Sequence, residues 1–277
     1  MLTTRPAEPG DYPTFARLFL ELQTDEPAPP SDRFELMLPT TLVAERAGAA
    51  VGYALYEILG DICYVRNLVT DRAARRSGVG ARLMAEIAGI ARARGCTRWR
   101  LNVKPENVAA VTLYERLGFR GVREGRTVRL SWAAALALPG ADVAEQIEPA
   151  DDAAFETVFD AEPGLLASRR AKGSLVLGVR RGGAPLALAC FDAKFPGGYP
   201  FRAPGLVEAA SLLRAMGAAR VPIVDGGSWR ERCVQLFIEE PPELLTAFLA
   251  LGAEPILRIL HMRAPLPEHS CLQRDEQ

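Results

Sequence analysis

Basic and glycine residues lie close together between Val65 and Gly80, in the segment VRNLVTDRAARRSGVG. Apolar residues at its start predict a strand, and small residues at its end predict the first turn of a helix. The free N–H groups at such a helix start bind anions, and glycines let the backbone approach a phosphate closely. Arg75 and Arg76 add positive charge before Gly78, so the segment predicts a diphosphate site. The alternative interpretation of the two arginines is a solvated surface pair.

Other phosphate-binding motifs fit this segment less well. It contains no G-K-[ST] sequence of a nucleotide P-loop. Leu83 occupies the position that the third glycine takes in a dinucleotide fingerprint. The segment therefore indicates an anion site of another kind.

Asn107 and Tyr114 form a second pair, on a predicted short helix that ends at Gly118. Their spacing of seven residues is about two helical turns, so both side chains point from the same face. Each also has a purely structural interpretation. Asn107 can be a simple N-cap, which is compatible with ligand contact, and Tyr114 can be a core tyrosine.

The elements that must position these residues alternate between strands and helices. Asp11 is a predicted N-cap, and the Pro- and acid-rich stretch 24–32 is a predicted surface loop. The predicted elements are a strand at 2–5, a helix at 12–22, strands at 41–45, 50–59 and 62–69, a helix from 78 to 95, a strand at 97–103, a helix ending at 118 and a strand at 122–130. The order β-α-β-β-β-α-β-α-β predicts an α/β (α+β) domain with a mixed sheet.

Length and charge suggest two domains with different partners. A chain of 277 residues is longer than most single domains. The net charge of -1 argues against a nucleic-acid binder, which needs a clustered cationic surface. Residues 1–140 carry 19 Lys and Arg against 15 Asp and Glu, whereas residues 141–277 carry 14 against 19. The first half is therefore the better host for an anionic ligand.

Cysteine usage predicts neither a metal site nor a disulfide framework. The five cysteines are far apart, with no C-x-x-C pair, and His261 and His269 are the two histidines. The first residues contain no apolar signal region, and no apolar run is long enough for a membrane span. We expect a reduced cytoplasm as the compartment and no membrane partner.

The second half is predicted to repeat the first. The stretch 138–150 contains Pro, Gly and acidic residues without periodicity and is the predicted linker between domains at 1–137 and 151–277. Ile147 to Asp152, followed by a helical pattern, is similar to Arg5 to Asp11. Leu251-Gly252-Ala253 is similar to Leu117-Gly118-Phe119. These two similarities between the halves of the chain indicate a weak internal duplication.

The two motifs of the first half resemble a known family. Arg75-Arg76-Ser77-Gly78-Val79-Gly80 resembles the R/Q-x-x-G-x-G/A signature of the GNAT superfamily of acyl-CoA N-acyltransferases, and NVAAVTLYERLGF at 107–119 resembles its second signature. The resemblance covers about residues 2–131. It implies a GNAT-like mixed, mostly antiparallel sheet flanked by helices, in two similar domains in tandem. It also implies an N-acetyltransferase with acetyl-CoA as co-substrate.

The resemblance also implies roles for individual residues. Backbone N–H groups of the basic loop would hold the CoA diphosphate, and the end of the fourth strand would pair with the pantetheine arm. Asn107 would also contact pantetheine, and Tyr114 would place its hydroxyl beside the thioester sulfur. The implied cofactor-binding residues are Leu68, Val69, Thr70, Arg75, Arg76, Ser77, Gly78, Val79, Gly80, Ala81, Asn107, Ala110 and Tyr114.

The implied reaction needs a base, and the sequence does not identify one. A lysine-like amine has a pKa of about 10.4 and must lose a proton before it attacks the thioester. A backbone N–H near Val69 would stabilise the charge on the carbonyl oxygen, and Tyr114 would hydrogen-bond the leaving sulfur. The family often uses a carboxylate on the fourth strand, but residues 62–70 contain none. Glu57 and Tyr64 are the nearest catalytic candidates, and ordinary surface residues are the alternative.

The acceptor is predicted to be a primary amine, with a small molecule slightly favoured over a protein. Another acyl-CoA or another acceptor is an alternative. A non-catalytic acyl-CoA-binding or regulatory protein is an alternative from a different class. The presence of both Asn107 and Tyr114 favours an enzyme.

The second domain is predicted to be a degenerate copy without a cofactor site. Phe248 falls where Tyr114 stands, and Pro241 falls where Asn107 stands. The counterpart of the phosphate loop is Arg202-Ala203-Pro204-Gly205-Leu206-Val207, in which a proline removes an N–H donor and Val207 replaces a glycine.

Overall fold

The computed structural model describes residues 1–24, 27–140, 143–222, 228–239 and 242–267. The chain divides into two compact units, one formed by Met1–Val122 with His261–Gln277 and the other by Arg123–Leu260. This division differs from the predicted domain limits at residues 138–150. Both boundaries fall inside long strands, and the described part of the predicted linker contributes a short strand, Glu145–Gln146, to the second unit.

The first unit has the predicted order of elements, with one additional helix. Its elements are β1 (Leu2–Pro6), α1 (Tyr12–Phe19), α2 (Ser31–Glu35), β2 (Thr41–Arg46), β3 (Ala49–Leu59), β4 (Ile62–Thr70), α3 (Val79–Ala93), β5 (Arg98–Val103), α4 (Val108–Arg116) and the start of β6 (Arg120–Ser131). The strands are ordered β1-β2-β3-β4-β5, antiparallel up to β4 and parallel between β4 and β5. Helix α2 begins at Ser31, inside the loop predicted at 24–32, and is too short to show a helical period in the sequence.

Helices cover both faces of this sheet. The ring of Tyr53 in β3 lies 4.8 Å from that of Phe15 in α1, and Phe15 lies 4.5 Å from Phe34 in α2. The preceding residue, Gly52, points to the opposite face. A Cβ atom at Gly52 would lie 2.8 Å from Cγ1 of Val79 in α3, so glycine is needed for this close approach.

A bulge in β4 separates a paired part of the strand from an open part. Leu55 pairs with Asn67 and Tyr56 with Val65, so Arg66 is an extra residue. The parallel pairing with β5 extends from Ile62 to Val65. In the described part of the chain, β4 after Val65 is therefore paired with β3 alone, and one edge of its backbone is open.

From β7 onward the second unit repeats this order of elements, with one additional short helix before its fifth strand. Its elements after β6 are α5 (Trp132–Ala137), β7 (Glu145–Gln146), α6 (Asp152–Val158), α7 (Leu165–Ala171), β8 (Leu175–Arg181), β9 (Ala184–Asp192), β10 (Gly197–Arg202), α8 (Leu206–Ala219), α9 (Trp229–Arg232), β11 (Cys233–Ile238), α10 (Pro242–Ala250) and β12 (Glu254–Pro265). The strand order is β6-β11-β10-β9-β8-β7, with the parallel pair between β10 and β11. The predicted mixed, mostly antiparallel sheet flanked by helices is confirmed.

The predicted N-cap at Asp11 is not made. The Asp11 carboxylate accepts a hydrogen bond from the backbone N–H of Glu8 at 2.8 Å and binds Arg5 through two further hydrogen bonds. A short 3-10 turn, Pro9–Asp11, precedes α1, which begins at Tyr12 as predicted.

Among the described residues, no helix is both long and apolar enough to cross a membrane. No group of three or more potential metal ligands occurs in the described ranges. His269, Cys271 and Pro241 lie outside these ranges.

Candidate functional site

The basic loop between β4 and α3 brings backbone N–H groups to one place. Asp71 accepts a hydrogen bond from Ala73 N and starts a short 3-10 turn. Arg76 and Gly78 then adopt left-handed conformations, with φ of 60° and 83°. The fifteen-residue helix α3 follows without a side-chain cap and without an acidic residue in its first turn. Its first N–H groups have no acceptor within the helix, and its dipole is not neutralised there.

One hydrogen bond and one ion pair hold this loop against the rest of the first unit. Arg46 donates to the carbonyl oxygen of Ser77 at 2.9 Å. Arg75 lies 2.6 Å from the Glu21 carboxylate, in the segment after α1. The sequence predicted Arg75 as an anion ligand, whereas in this structure it already binds an acidic side chain.

The end of β4 passes directly beside the first turn of α3. A Cβ atom at Gly80 would lie 3.7 Å from the Leu68 side chain and 3.1 Å from that of Leu113 in α4. A Cβ atom at Gly80 would therefore crowd the packing of α3 against α4, a reason for glycine that sequence reasoning missed. Val69 pairs with Tyr53 and Thr70 with Gly52, on the side of β4 away from β5.

Helix α4 positions Asn107 and Tyr114. The Asn107 side chain accepts a hydrogen bond from Ala110 N at 3.2 Å, which confirms the predicted N-cap. Tyr114 is buried, with its ring 5.9 Å from that of Phe119, and burial raises the pKa of its hydroxyl above the usual range. The structural interpretation of each residue is thus correct, and neither excludes contact with a ligand.

The two candidate bases are direct neighbours across the sheet. Glu57 of β3 pairs in register with Tyr64 of β4, and Tyr64 pairs with Arg100 of β5. Glu57 Oε2 lies 3.2 Å from Arg66 Nη1, and Asn102 Nδ2 donates to the Tyr64 hydroxyl at 2.9 Å.

We call Glu57, Tyr64, Arg66, Arg100 and Asn102 the Tyr64 cluster. Sequence reasoning missed its last three members. For Arg100 and Asn102, the alternation of polar and apolar residues along β5 was the available signal.

In the second unit, the counterparts of the basic loop, of the start of α3 and of Tyr114 make different contacts from those in the first unit. Arg202 Nη2 lies 2.6 Å from the buried Glu239 carboxylate. Glu208, in the first turn of α8, is buried and lies 3.0 Å from Arg181. A Cβ atom at Gly205 would lie 3.6 Å from Glu208 Oε2, so a carboxylate already occupies the start of this helix. Phe248 is fully buried in the core of this unit.

Comparison with known proteins identifies a family match in the first unit. Residues 11–119 match the model of the acetyltransferase (GNAT) family. The thialysine N-epsilon-acetyltransferase of Sus scrofa is 33% identical over 79 residues, which are 27% of this chain and 46% of that protein. The chain thus spans about half the length of the curated relative that it matches.

Solved structures share the fold over nearly the whole chain. A GCN5-related N-acetyltransferase from Sphaerobacter thermophilus has a TM-score of 0.62 at 18% identity, over 97% of this chain and 98% of that one. A tandem GNAT protein from the clavulanic acid biosynthesis pathway has a TM-score of 0.58 at 18% identity, over 97% and 100% of the two chains. At a sequence identity of 18%, the similarity to these two structures shows a shared fold alone.

Proposed function

We propose, because residues 11–119 match the model of the acetyltransferase (GNAT) family, that this chain transfers the acetyl group of acetyl-CoA to a primary amine. The observation that carries this proposal is the uncapped, positively polarised start of α3 beside the open edge of β4. The start of the helix suits a diphosphate, and the open strand edge suits an extended, amide-containing arm.

The described residues fit a bound CoA. A Cβ atom at Gly78 would meet no other atom within 4 Å, so the loop borders open space at the point where its N–H groups converge. In this proposal the backbone from Arg75 to Ala81 binds the diphosphate, and Leu68 to Thr70 pair with the pantetheine arm. Asn107 and Ala110 flank that arm on α4.

Acetyl-CoA supplies a thioester whose C–S bond breaks as the amine nitrogen bonds to the carbonyl carbon. The N–H group of Val69 is the proposed donor to the carbonyl oxygen as charge develops there. Tyr114 donates a hydrogen bond to the departing sulfur, which takes its proton from solvent. Its pKa, raised by burial, makes full transfer of the phenol proton to a thiolate unfavourable.

Glu57 is the proposed acceptor of the amine proton, directly or through water. The Glu57 carboxylate lies 3.2 Å from Arg66 Nη1, and its oxygens can accept a proton from an amine held nearby. Tyr64, in register with Glu57, is the proposed positioning residue.

The acceptor class follows from a relative and remains part of the proposal. The name of the pig relative states acetylation of thialysine at an epsilon nitrogen, which is a primary amine of a small molecule. We also propose the cytoplasm as the compartment, because the four described cysteines, Cys63, Cys96, Cys190 and Cys233, are free thiols.

The test is release of CoA from acetyl-CoA in the presence of a broad panel of amines. Turnover that depends on the amine supports acyl transfer. Calorimetric binding of acetyl-CoA without turnover on any amine would instead identify a non-catalytic acyl-CoA-binding protein.

A further inference from the structure

Two ion pairs join α1 and the short turn that follows it to the basic loop. Arg17 Nη1 lies 2.6 Å from the Asp71 carboxylate, and Arg75 Nη2 lies 2.6 Å from the Glu21 carboxylate. The charged residues of each segment are four positions apart, a spacing that brings Arg17 and Glu21 to one helical face. The helical segment presents a cation and then an acid, and the loop presents an acid and then a cation. Matching charges therefore attach the proposed diphosphate site to the α1 side of the first unit.

The Arg75–Glu21 pair is the one that a ligand can replace. The Arg75 side chain is 48% exposed, and in the described part of the chain its hydrogen-bond partner is Glu21. Exposed ion pairs contribute little to stability, so this pair opens at small cost. A guanidinium has five N–H donors in one plane, and on an exposed side chain it can turn toward another anion.

Other contacts hold the helical segment in place when that pair opens. The pair between Arg17 and Asp71 remains. At the end of the turn, Lys104 Nζ donates to the carbonyl oxygen of Leu22 at 3.1 Å and to that of Gln23 at 2.6 Å. Opening the exposed pair is therefore a local change of one side-chain contact.

The diphosphate of CoA is a stronger partner for Arg75 than a single carboxylate is. It carries more negative charge, and a guanidinium binds phosphate oxygens through two parallel hydrogen bonds. The uncapped start of α3, four residues further along the chain, attracts the same anion. Glu21 opposes this binding in two ways, because its ion pair must be broken and its charge repels the diphosphate.

We propose that Glu21 is an internal competitor of CoA, which occupies Arg75 until a diphosphate takes its place. This inference rests on the cofactor binding proposed above and identifies a residue that limits the affinity. Acetyl-CoA and the product CoA carry the same diphosphate. The competition therefore weakens the binding of both and favours release of the product.

The experiment is a calorimetric titration with CoA in three backgrounds. Glu21→Gln removes the charge and keeps the size of the side chain, and it should tighten CoA binding about two- to fivefold in the wild-type background. In Arg75→Gln the same substitution should have no effect, because no guanidinium is left to compete for. In Arg76→Gln, at the adjacent arginine of the loop, the gain should persist. Glu21→Ala is the second variant and should act as Glu21→Gln does.

The matched control for charge is Glu86→Gln. Glu86 lies in α3 itself, in an exposed pair with Arg82, so this substitution removes one negative charge from the helix that begins at the diphosphate site. Its affinity for CoA should stay within about 1.5-fold of the wild type. An equal gain in Glu86→Gln, an equal gain in the Arg75→Gln background, or unchanged or weaker binding in Glu21→Gln would each overturn the competition.

A second ligand separates the diphosphate from the 3′-phosphate of CoA. Titration with 3′-dephospho-CoA, which keeps the diphosphate, should show the same gain in Glu21→Gln. A gain that disappears with this ligand would assign Arg75 to the 3′-phosphate and overturn the inference.

The two proposals fail in different ways. A wild type that acetylates an amine but shows no gain in Glu21→Gln would overturn the competition alone. If no amine is acetylated, the acyl-transfer proposal fails, whereas the CoA titrations still decide on the competition. Absence of CoA binding in the wild type and in Glu21→Gln alike would overturn both.

Discussion

A hydroxyl group that works beside a thiolate must stay protonated while remaining close to the leaving atom. Tyr114 meets the first condition because burial raises its pKa. Its ring is held against Phe119, which in turn lies 4.7 Å from Trp99, so the phenol cannot easily turn away. The side chain is therefore a core residue whose protonated hydroxyl suits the proposed role of hydrogen-bond donor.

We expect Tyr114→Phe to lower kcat about tenfold or more, with a change in the KM for acetyl-CoA of less than about threefold. The lost hydroxyl acts on the departing sulfur and not on the bound ground state. For the wild type, the raised pKa also predicts that this group causes no loss of kcat as the pH rises to about 10. Tyr56→Phe, at another buried tyrosine of the first unit, is the control and should retain normal kinetics. A kcat within about twofold of the wild type in Tyr114→Phe would make Tyr114 structural.

Asp11 has a pH-dependent structural role. Arg5 binds both of its carboxylate oxygens, at 2.7 and 2.8 Å, and this lowers the pKa of Asp11. A carboxyl group with a lowered folded-state pKa stabilises the fold above its unfolded pKa of about 3.9, and this stabilisation is lost as the pH falls further.

Asp11→Asn should therefore lower the free energy of unfolding by about 1–3 kcal/mol at pH 7. The difference from the wild type should shrink below about pH 4. Urea unfolding at several pH values measures this. Asp61→Asn, at an exposed pair with Arg98, should have a smaller effect. A difference that grows as the pH falls would contradict the assignment.

At the scale of elements, the start of α3 is the feature on which cofactor binding depends. Gly78 before α3 and Gly95 after it both have positive φ, 83° and 77°, and an added Cβ meets no other atom within 4 Å at either. Replacement by glutamate thus strains both ends of the helix similarly but adds a negative charge at opposite poles of its dipole.

Gly78→Glu should weaken acetyl-CoA binding by at least about tenfold, because a carboxylate then competes with the diphosphate for the N–H groups. Gly95→Glu should bind as the wild type does. Calorimetric titration of both variants, with their thermal unfolding as a control for folding, measures the difference. Equal affinities would remove the diphosphate site from this helix.

Elements defined by local signals were predictable, and those defined by distant contacts were not. Gly78, Gly95 and the Asn107 cap mark helix ends within one turn, so the sequence alone located α3 and α4. The bulge at Arg66 depends on the register of β3 against β4, which no local pattern shows. The pairing of Arg75 with Glu21 joins residues 54 positions apart and was likewise invisible.

At the scale of the whole molecule, the two units repeat one order of elements but differ in charge where their long helices, α3 and α8, begin. In the first unit the helix start carries no acid, whereas in the second Glu208 lies in the first turn and is buried. A second carboxylate or phosphate would meet repulsion there. The proposal of a degenerate second copy rests on this difference.

We therefore expect calorimetric titration with acetyl-CoA to give one site per chain. Gly205→Glu should leave this site unchanged, since Gly205 has extended backbone that any residue adopts and precedes a helix already neutralised. Two equivalent sites, or a single site removed by this substitution, would show that the second unit binds the cofactor.

The last described residues of the chain belong to the first unit, and this sets the order in which the two units are completed during translation. Leu266 N donates to Thr97 O at 2.8 Å, and Arg92 donates to Pro267 O at 3.0 Å. At about 5–20 residues per second, the ribosome needs roughly 7–28 s after Val122 to reach His261. During that interval the whole second unit, Arg123–Leu260, is synthesised. The first unit still lacks the part of it that follows Leu260. The unit that begins synthesis first is thus the last to be completed.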